Sequence, residues 1–195
     1  ISSSSPSIVN STFSGNTGGG IHNAKNSNFM AVSSTPMIYN SVFYGNDSDI
    51  VNSDTSSATG GNNYSENYAE TGFTALTVDP FLDSTNPTGA DGEWFTEDDG
   101  LHPSSASSPI TDEGDATKLP LDTADLDKDQ DITEAIPFDI IGRSRVLGSL
   151  DVGAYEFDST VVLSVKDIDS SGLDIYSTGY KTLVIHGVFN AKTTA

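Results

Sequence analysis

The residues best suited to chemistry in this sequence are acidic, and five of them lie within one short segment. Four aspartates occupy alternate positions and a glutamate follows: Asp125, Asp127, Asp129, Asp131 and Glu134. Alternating carboxylates in a loop can surround one ion, and Ca²⁺ prefers about six to eight oxygen ligands, whereas Mg²⁺ gives up its water reluctantly. The segment 122–134 therefore predicts a Ca²⁺ site.

The spacing of these acids does not follow the EF-hand pattern. Counted from Asp125, the sixth position is Gln130 instead of glycine, and the twelfth is Ile136 instead of glutamate. The alternative interpretation is a solvated acidic loop whose like charges repel one another.

A second acidic loop runs from residue 91 to residue 99 and contains the only tryptophan of the chain. Its carboxylates Asp91, Asp98 and Asp99 are further candidate Ca²⁺ ligands, with turn and capping roles as the alternative. Trp94 is a candidate ligand-binding residue, because an exposed indole face suits a pyranose ring. The competing expectation is that Trp94 and Phe95 are buried beneath the loop and anchor it.

The sequence does not predict a catalytic residue. β-Elimination on a uronic-acid polymer needs a basic side chain and a cation that neutralises the substrate carboxylate. The first 76 residues supply only His22 and Lys25 as bases. Glycoside hydrolysis needs two carboxyl groups that face each other across a groove, and the nearby acids Asp47, Asp49 and Asp54 would do so only by accident.

The elements that must position these residues begin with an internal repeat. Residues 6–16 and 36–46 are identical at seven of eleven positions, at an offset of thirty residues. Each copy combines β-branched and aromatic residues at strand-like spacing with a Gly-Asn turn. Repeats of about 20–50 residues are typical of solenoids, so we expect Phe13 to lie over Phe43.

Strands this short form no sheet of their own, so each is predicted to pair in parallel with its copy in the next repeat. Asn10 would then lie over Asn40, and Asn16 over Asn46. Such amide ladders satisfy buried amides and backbone groups together.

The repeat is followed by motifs that occur in a consistent order. They are Asp79–Asp83, Gly89–Leu101, Ser108–Asp115 and Asp151–Glu156. Together with the repeat, they resemble the right-handed parallel β-helix proteins that bacteria secrete. The resemblance implies the last coils of a β-helix followed by an acidic loop. The family includes adhesins and polysaccharide lyases, so the fold alone does not identify the function.

Composition divides the chain into three predicted segments, which together make an all-β protein. Residues 1–83 are the β-helix coils, residues 84–158 are an acidic, loop-rich cap that closes the β-helix, and residues 159–195 are a small antiparallel β-sandwich segment. Because a solenoid needs about three or more repeats, we expect further coils upstream. We also expect the sandwich to be incomplete.

The last segment has three predicted strands with turns between them. They lie at 161–165, 173–176 and 183–189. Their order is similar to that of the C-terminal sorting domain of Bacteroidetes proteins exported by the type IX secretion system. An ordinary accessory sandwich is the alternative.

The formal net charge is −20, which disfavours nucleic acid and anionic lipid as partners. The chain has no apolar run long enough to insert into a membrane, and it has no cysteine for a disulfide or a thiolate site. A divalent cation is the expected cofactor. A cell-surface glycan or the outer-membrane secretion machinery is the expected partner.

Three functions remain open at this point. The first is a non-catalytic extracellular or cell-surface module, an adhesin or glycan-contacting stalk that Ca²⁺ rigidifies. The second is the C-terminal part of a polysaccharide lyase or glycoside hydrolase whose active groove lies in upstream coils. The third is a secretion-system cargo that is recognised through its C-terminal sandwich.

Overall fold

The computed structural model describes residues 4–24, 33–158, 174–177 and 183–186. Within these ranges the chain forms β-strands of three or four residues and one 3₁₀ turn at Ala116–Lys118. The predicted all-β class is confirmed. The chain divides into two compact units, Ile1–Ser159 and Thr160–Ala195. In the part that the structure describes, no helix has the length and apolarity needed to cross a bilayer.

The first unit contains three parallel sheets built from very short strands. In chain order the strands are β1 Ser7–Val9, β2 Thr12–Ser14, β3 Ile21–Asn23, β4 Met37–Tyr39, β5 Val42–Tyr44, β6 Ile50–Asn52, β7 Thr59–Gly61, β8 Asn63–Ser65 and β9 Phe73–Ala75. Strand order is β1-β4-β7 in one sheet, β2-β5-β8-β9 in the second and β3-β6 in the third. We refer to β1–β3, β4–β6 and β7–β8 as the first, second and third repeats.

The register between the first two repeats is the one that the sequence repeat predicts. Phe13 pairs with Phe43 in parallel strands, and their rings stack with centroids 4.6 Å apart and planes within 1°. Ile21 pairs with Ile50, at an offset one residue shorter than that between Phe13 and Phe43. The predicted parallel stacking of the two copies is therefore confirmed.

Left-handed asparagines form the bend between the first and second sheets. Asn10, Asn40 and Asn62 have φ values of 48°, 51° and 52°. Asparagine adopts this conformation more readily than most residues, which ends each strand and redirects the chain after three residues. The same bend thus recurs in every repeat.

Amide ladders join the first two repeats, as predicted. Asn40 Nδ2 donates to Asn10 Oδ1 at 3.3 Å, and Asn16 Nδ2 donates to Asn46 Oδ1 at 2.8 Å. The buried Asn23 extends the pattern, because its Nδ2 donates to Oδ1 of its partner in β6 at 3.0 Å. These contacts pair amide groups that would be costly to bury alone, whereas the buried Asn23 Oδ1 has no hydrogen-bond partner among the described residues.

Strand β5, inside the four-stranded sheet, is buried on both faces. Neighbouring residues of a strand point to opposite faces, and both Val42 and Phe43 are fully buried. Phe43 packs with an inner cluster formed by Ile21, Ile38, Ile50 and Ala58. Val42 packs with an outer cluster formed by Leu76, Phe81, Leu101, Ile110, Val152 and Tyr155. The outer cluster attaches the acidic region, residues 84–158, to the sheet.

The acidic region lies along the side of the stacked strands and bonds to all three repeats. Ala154 N donates to Thr12 Oγ1 at 3.0 Å and Asp115 N donates to Asn40 Oδ1 at 2.8 Å. Asn62 Nδ2 donates to the Glu113 carbonyl at 3.1 Å. The region therefore fixes the repeats relative to one another, and the predicted closure of the β-helix end stays a prediction.

A buried arginine organises the segment that touches the first two repeats. Arg145 is 2% exposed and donates to the carbonyls of Asp151, Gly153 and Ala154 at 3.2, 2.7 and 3.0 Å. Its guanidinium lies 3.4 Å from the carboxylate of Glu156. Burial raises the pKa of Glu156 to about 8, although the positive charge of Arg145 opposes the shift.

The second unit is described only in two strands. β10 (Asp174–Ser177) pairs with β11 (Leu183–His186) in antiparallel register. The predicted antiparallel pairing of these two strands is confirmed. The predicted strand at 161–165 lies outside the described residues, and the β-sandwich stays a prediction.

The raised pKa of Glu156 predicts a fall in stability with rising pH. Between its ordinary pKa of 4.5 and about 8, the native state keeps a proton that the unfolded state has lost. Stability is therefore full at low pH and decreases across this window, by up to about 1.4 kcal/mol per pH unit. Glu156→Gln, which cannot ionise, should become progressively more stable than wild type from pH 5 to 8 in urea unfolding.

Glu93→Gln serves as the control, because Glu93 is exposed. Its stability should follow that of the wild type at each pH. Parallel curves for Glu156→Gln and wild type would show that Glu156 titrates at its ordinary pKa.

Candidate metal centre

The predicted Ca²⁺ segment is a loop with a closed neck. Leu121 and Ala135 form an antiparallel bridge. Asp122 N donates to the Glu134 carbonyl at 2.8 Å, and Ile136 N donates to the Pro120 carbonyl at 3.0 Å. These bonds place Asp122 and Glu134 opposite each other where the loop begins and ends.

Within the loop, each alternate aspartate folds the backbone that follows it. Asp127 Oδ1 accepts from Asp129 N at 3.3 Å, Asp129 Oδ1 from Asp131 N at 2.7 Å, and Asp131 Oδ1 from Thr133 N at 2.9 Å. Such Asx turns are local and need no tertiary support. Left-handed φ values at three residues complete the curl: Asp125, Lys128 and Gln130.

The folded loop brings two groups of three carboxylates together. In the first group, oxygens of Asp122, Asp127 and Glu134 all lie within 4.8 Å of one another. In the second, oxygens of Asp125, Asp127 and Asp129 do the same. Asp127 belongs to both groups, so the five side chains form one acidic cluster.

Two oxygens of the first group lack a hydrogen-bond partner among the described residues. Asp122 Oδ1 and Glu134 Oε1 are both buried and unpaired. The side chain of Asp122 is only 1% exposed, and its other oxygen accepts from Leu126 N at 2.7 Å. An unpaired buried carboxylate oxygen is costly, and a coordinated cation would remove that cost.

The electrostatics of the cluster favour a cation. Burial raises the pKa of Glu134, and the negative charges of Asp129, Asp127, Asp131 and Asp122 raise it further. A divalent ion among these oxygens would replace repulsion with attraction. The donor set consists of hard carboxylate oxygens, which suits Ca²⁺.

The structure assembles four of the five ligands predicted in the segment 122–134 but uses the fifth, Asp131, differently. Asp131 Oδ1 accepts from Thr133 Oγ1 at 2.6 Å as well as from its backbone N–H, and the Thr133 hydroxyl lowers the pKa of Asp131. Asp131 belongs to neither carboxylate group. The ligand candidate that the alternating pattern does not single out is Asp122, which precedes Asp125 by three residues and lies at the neck.

The second predicted set of ligands is occupied by internal hydrogen bonds. Asp98 Oδ2 accepts from Ala90 N at 2.6 Å and Asp91 N at 3.1 Å, and hydrogen bonds led by that from Thr96 Oγ1 lower the pKa of Asp98. Among the described residues, the metal-binding groups include none of Asp91, Asp98 and Asp99.

Asp99 is the buried centre of this second loop. It is fully buried, and its Oδ2 accepts from Phe95 N at 2.8 Å, Thr96 N at 3.3 Å and Tyr155 Oη at 2.6 Å. A carboxylate oxygen with three donors fixes the loop and ties it to Tyr155, near the end of the acidic region. This geometry matches the turn and capping role, which is the alternative to Ca²⁺ ligation for this residue.

Trp94 and Phe95 are not buried beneath this loop. Their exposed fractions are 49% and 59%, and both residues line an open groove beside β2.

Of the two bases considered for catalysis, His22 Nε2 lies 3.0 Å from Ser53 Oγ. Lys25 lies outside the described residues.

No protein-family model, curated protein or solved structure shows a significant match to this chain.

The three donors to Asp99 predict that its charge is important for stability. Asp99→Asn keeps the shape but removes the charge, so the three donors to Oδ2 meet a neutral carbonyl oxygen and their charge-assisted hydrogen bonds weaken. We expect the free energy of unfolding to fall by about 1–3 kcal/mol, measured by urea denaturation.

Asp91→Asn is the matched control in the same loop. Asp91 is exposed, and its Oδ1 accepts from Glu93 N at 2.8 Å, so the expected change is within about 0.5 kcal/mol. Equal effects of the two substitutions would contradict the central role of Asp99.

Proposed function

We propose that this chain is a non-catalytic extracellular or cell-surface module, built on a right-handed parallel β-helix and stabilised by Ca²⁺. The observation that carries the proposal is that Asp122 and Glu134 each have a buried, unpaired carboxylate oxygen, and that both side chains place an oxygen within 4.8 Å of an oxygen of Asp127. The class of function is that of an adhesin or a glycan-contacting stalk.

The strand arrangement supports the β-helix part of the proposal. Parallel strands from successive repeats pair in three sheets, and one buried cluster combines Ile21 of the first repeat with Ile38, Phe43 and Ile50 of the second. Asparagine ladders and the stacked rings of Phe13 and Phe43 run between the first two repeats. These are the interactions expected between successive coils of a solenoid.

The donor set supports Ca²⁺ over other divalent ions. Up to five carboxylates can contribute: Asp122, Asp125, Asp127, Asp129 and Glu134. Ca²⁺ accepts such crowded, irregular oxygen sets, whereas Mg²⁺ requires near-octahedral geometry and retains water, and soft metals prefer sulphur or imidazole. The two groups contain neither histidine nor cysteine.

An extracellular setting suits a site of this kind. Three of the candidate ligands lie on an exposed loop, which favours modest affinity. Ca²⁺ sites of extracellular modules typically have a Kd of about 10⁻⁴–10⁻³ M. Export by a type IX system remains a prediction from the resemblance of residues 159–195, as does recognition by that machinery.

The polar groups of the repeats support a structural role. Asp49 is 1% exposed, and it accepts from Asn46 Nδ2 at 2.9 Å, Ser65 Oγ at 2.6 Å and Asn67 N at 2.8 Å. A glycosidase carboxyl group must reach a substrate in a groove. Asp49 instead joins the second repeat to the third.

Removal of Ca²⁺ should destabilise the protein. EDTA is expected to lower the melting temperature, and excess Ca²⁺ to restore it. At 100 times the Kd, the expected stabilisation is about 2.7 kcal/mol, which corresponds to roughly 5–10 °C for a domain of this size. Differential scanning calorimetry measures the shift, and isothermal titration measures the binding itself.

Two aspartate variants make the test specific. Asp122→Asn should lose most of the Ca²⁺-dependent shift, yet in EDTA it should melt no lower than wild type, because it removes a repelling charge. Asp131→Asn should retain the shift, since Asp131 belongs to neither group. An unchanged wild-type melt, or a normal shift in Asp122→Asn, would refute the site.

A further inference from the structure

The candidate ion site lies in a loop, residues 121–135, that is held together by its own hydrogen bonds. In the described part of the chain, every hydrogen bond made by these residues stays within 120–136, so none involves the strands of the repeats. The loop and its neck alone therefore set the geometry of the site.

Backbone amides leave the first carboxylate group short of ligands for an ion. Asp122 Oδ2 accepts from Leu126 N at 2.7 Å, and Asp127 Oδ1 accepts from Asp129 N at 3.3 Å. Each of these aspartates then has one free oxygen to give, and Glu134 has two at most. Because Ca²⁺ takes about six to eight oxygens, at least about two positions are left for oxygens from outside the group.

The open positions lie on the solvent side of the site. Asp122 is buried at 1% exposure, whereas Asp127 is exposed. An ion held between these two side chains therefore has protein on one side and solvent on the other. Water completes the coordination of Ca²⁺ at such sites, and a ligand that reproduces the contacts of that water can replace it.

The charge of the loop selects a ligand with neutral oxygens. Residues 121–135 contain six acids and one base, a formal charge of −5, and one Ca²⁺ reduces it only to −3. The remaining field repels carboxylates and phosphates. Hydroxyl groups supply neutral oxygens, and two hydroxyls on neighbouring carbons can fill two adjacent positions together. Such vicinal pairs are characteristic of sugar rings.

An exposed apolar side chain belongs to the same loop. Leu126, whose N–H holds Asp122, is 50% exposed. A pyranose ring presents an apolar C–H face beside its hydroxyl groups, and covering apolar surface stabilises by roughly 25 cal/mol per Å². Leu126 thus offers a second contact to a sugar whose hydroxyls bind the ion.

We propose that the bound Ca²⁺ is itself the contact to a neutral glycan. Two vicinal hydroxyls of a pyranose ring occupy its open positions, and the C–H face of the ring packs on Leu126. This inference deepens the proposed glycan-contacting function and rests on its Ca²⁺ site. Glycan binding is therefore located at the loop and requires the ion.

Tb³⁺, a luminescent ion that replaces Ca²⁺ at oxygen sites, tests the open positions. Its luminescence lifetimes in H₂O and D₂O give the number of waters bound to the ion. The full chain is titrated with the methyl pyranosides of mannose, galactose and fucose. We expect at least about two waters on the ion without sugar, and about two fewer at saturation with at least one glycoside. A water count that no glycoside changes would overturn the inference.

Calorimetry on the full chain tests the class of ligand. With Ca²⁺ we expect a Kd of about 1–10 mM for that glycoside, and with EDTA we expect no binding. The fully O-methylated mannoside keeps the ring but has no free hydroxyl, and it should not bind. Binding that persists in EDTA, preference for an oligogalacturonate, or no glycoside binding up to about 50 mM would overturn the inference.

Two leucine variants test the apolar contact. Leu126→Ala keeps the N–H that holds Asp122, so it should bind Ca²⁺ as wild type does and bind the glycoside roughly fivefold more weakly. Leu82→Ala removes an exposed side chain outside the loop, with 60% exposure, and should bind both as wild type does. Equal glycoside affinity in the two variants would contradict the contact with Leu126.

The Ca²⁺-dependent melt is recorded on the same samples, so that the two proposals can fail separately. A normal melt shift without glycoside binding would refute the glycan contact alone and leave the Ca²⁺ module standing. A wild-type melt that Ca²⁺ does not change would refute both.

Discussion

Strands of three residues provide too few hydrogen bonds to hold a sheet together, so this fold depends on the alignment of equivalent bends in successive repeats. Asn10, Asn40 and Asn62 supply that bend through the same left-handed backbone. Their side chains then contact the neighbouring asparagine or the backbone of the acidic region. One residue type thus turns the chain, links the repeats and attaches the flanking region.

The acidic region contains carboxylates with two different kinds of environment. Asp98, Asp99 and Asp151 are saturated by nearby N–H or O–H donors, and they fix the backbone as internal acceptors. Asp122 and Glu134 instead retain a buried oxygen without a donor. Proximity of acids is common to both settings. A candidate cation site is distinguished by carboxylate oxygens that lack a hydrogen-bond donor, as in Asp122 and Glu134. The oxygens of Asp98, Asp99 and Asp151 already accept hydrogen bonds from backbone amides.

The sequence predicts the first two repeats well, because identical residues at one offset directly report which atoms lie over each other. A third repeat is visible in the sequence only in part, and its register is not predicted, because the offset falls to 22 residues and Ile38 lies opposite Gly60. A Cβ at Gly60 would lie 1.6 Å from the Ile38 carbonyl oxygen. That close approach requires glycine and erases the similarity. The alternation of Asp125, Asp127 and Asp129 locates the cluster, whereas Asp122 joins it through the closed neck and Asp99 is held away from it by the distant hydroxyl of Tyr155. Both effects depend on tertiary contacts that no spacing rule contains.

The lateral position of the acidic region limits how the array can change in evolution. Glu113, Asp115 and Ala154 each meet a different repeat, and neighbouring strands of a sheet are about 4.8 Å apart. Insertion of one more repeat between these would move a partner beyond hydrogen-bonding reach. The flanking segment therefore fixes the number of repeats along its length, and duplication is tolerated only outside its span.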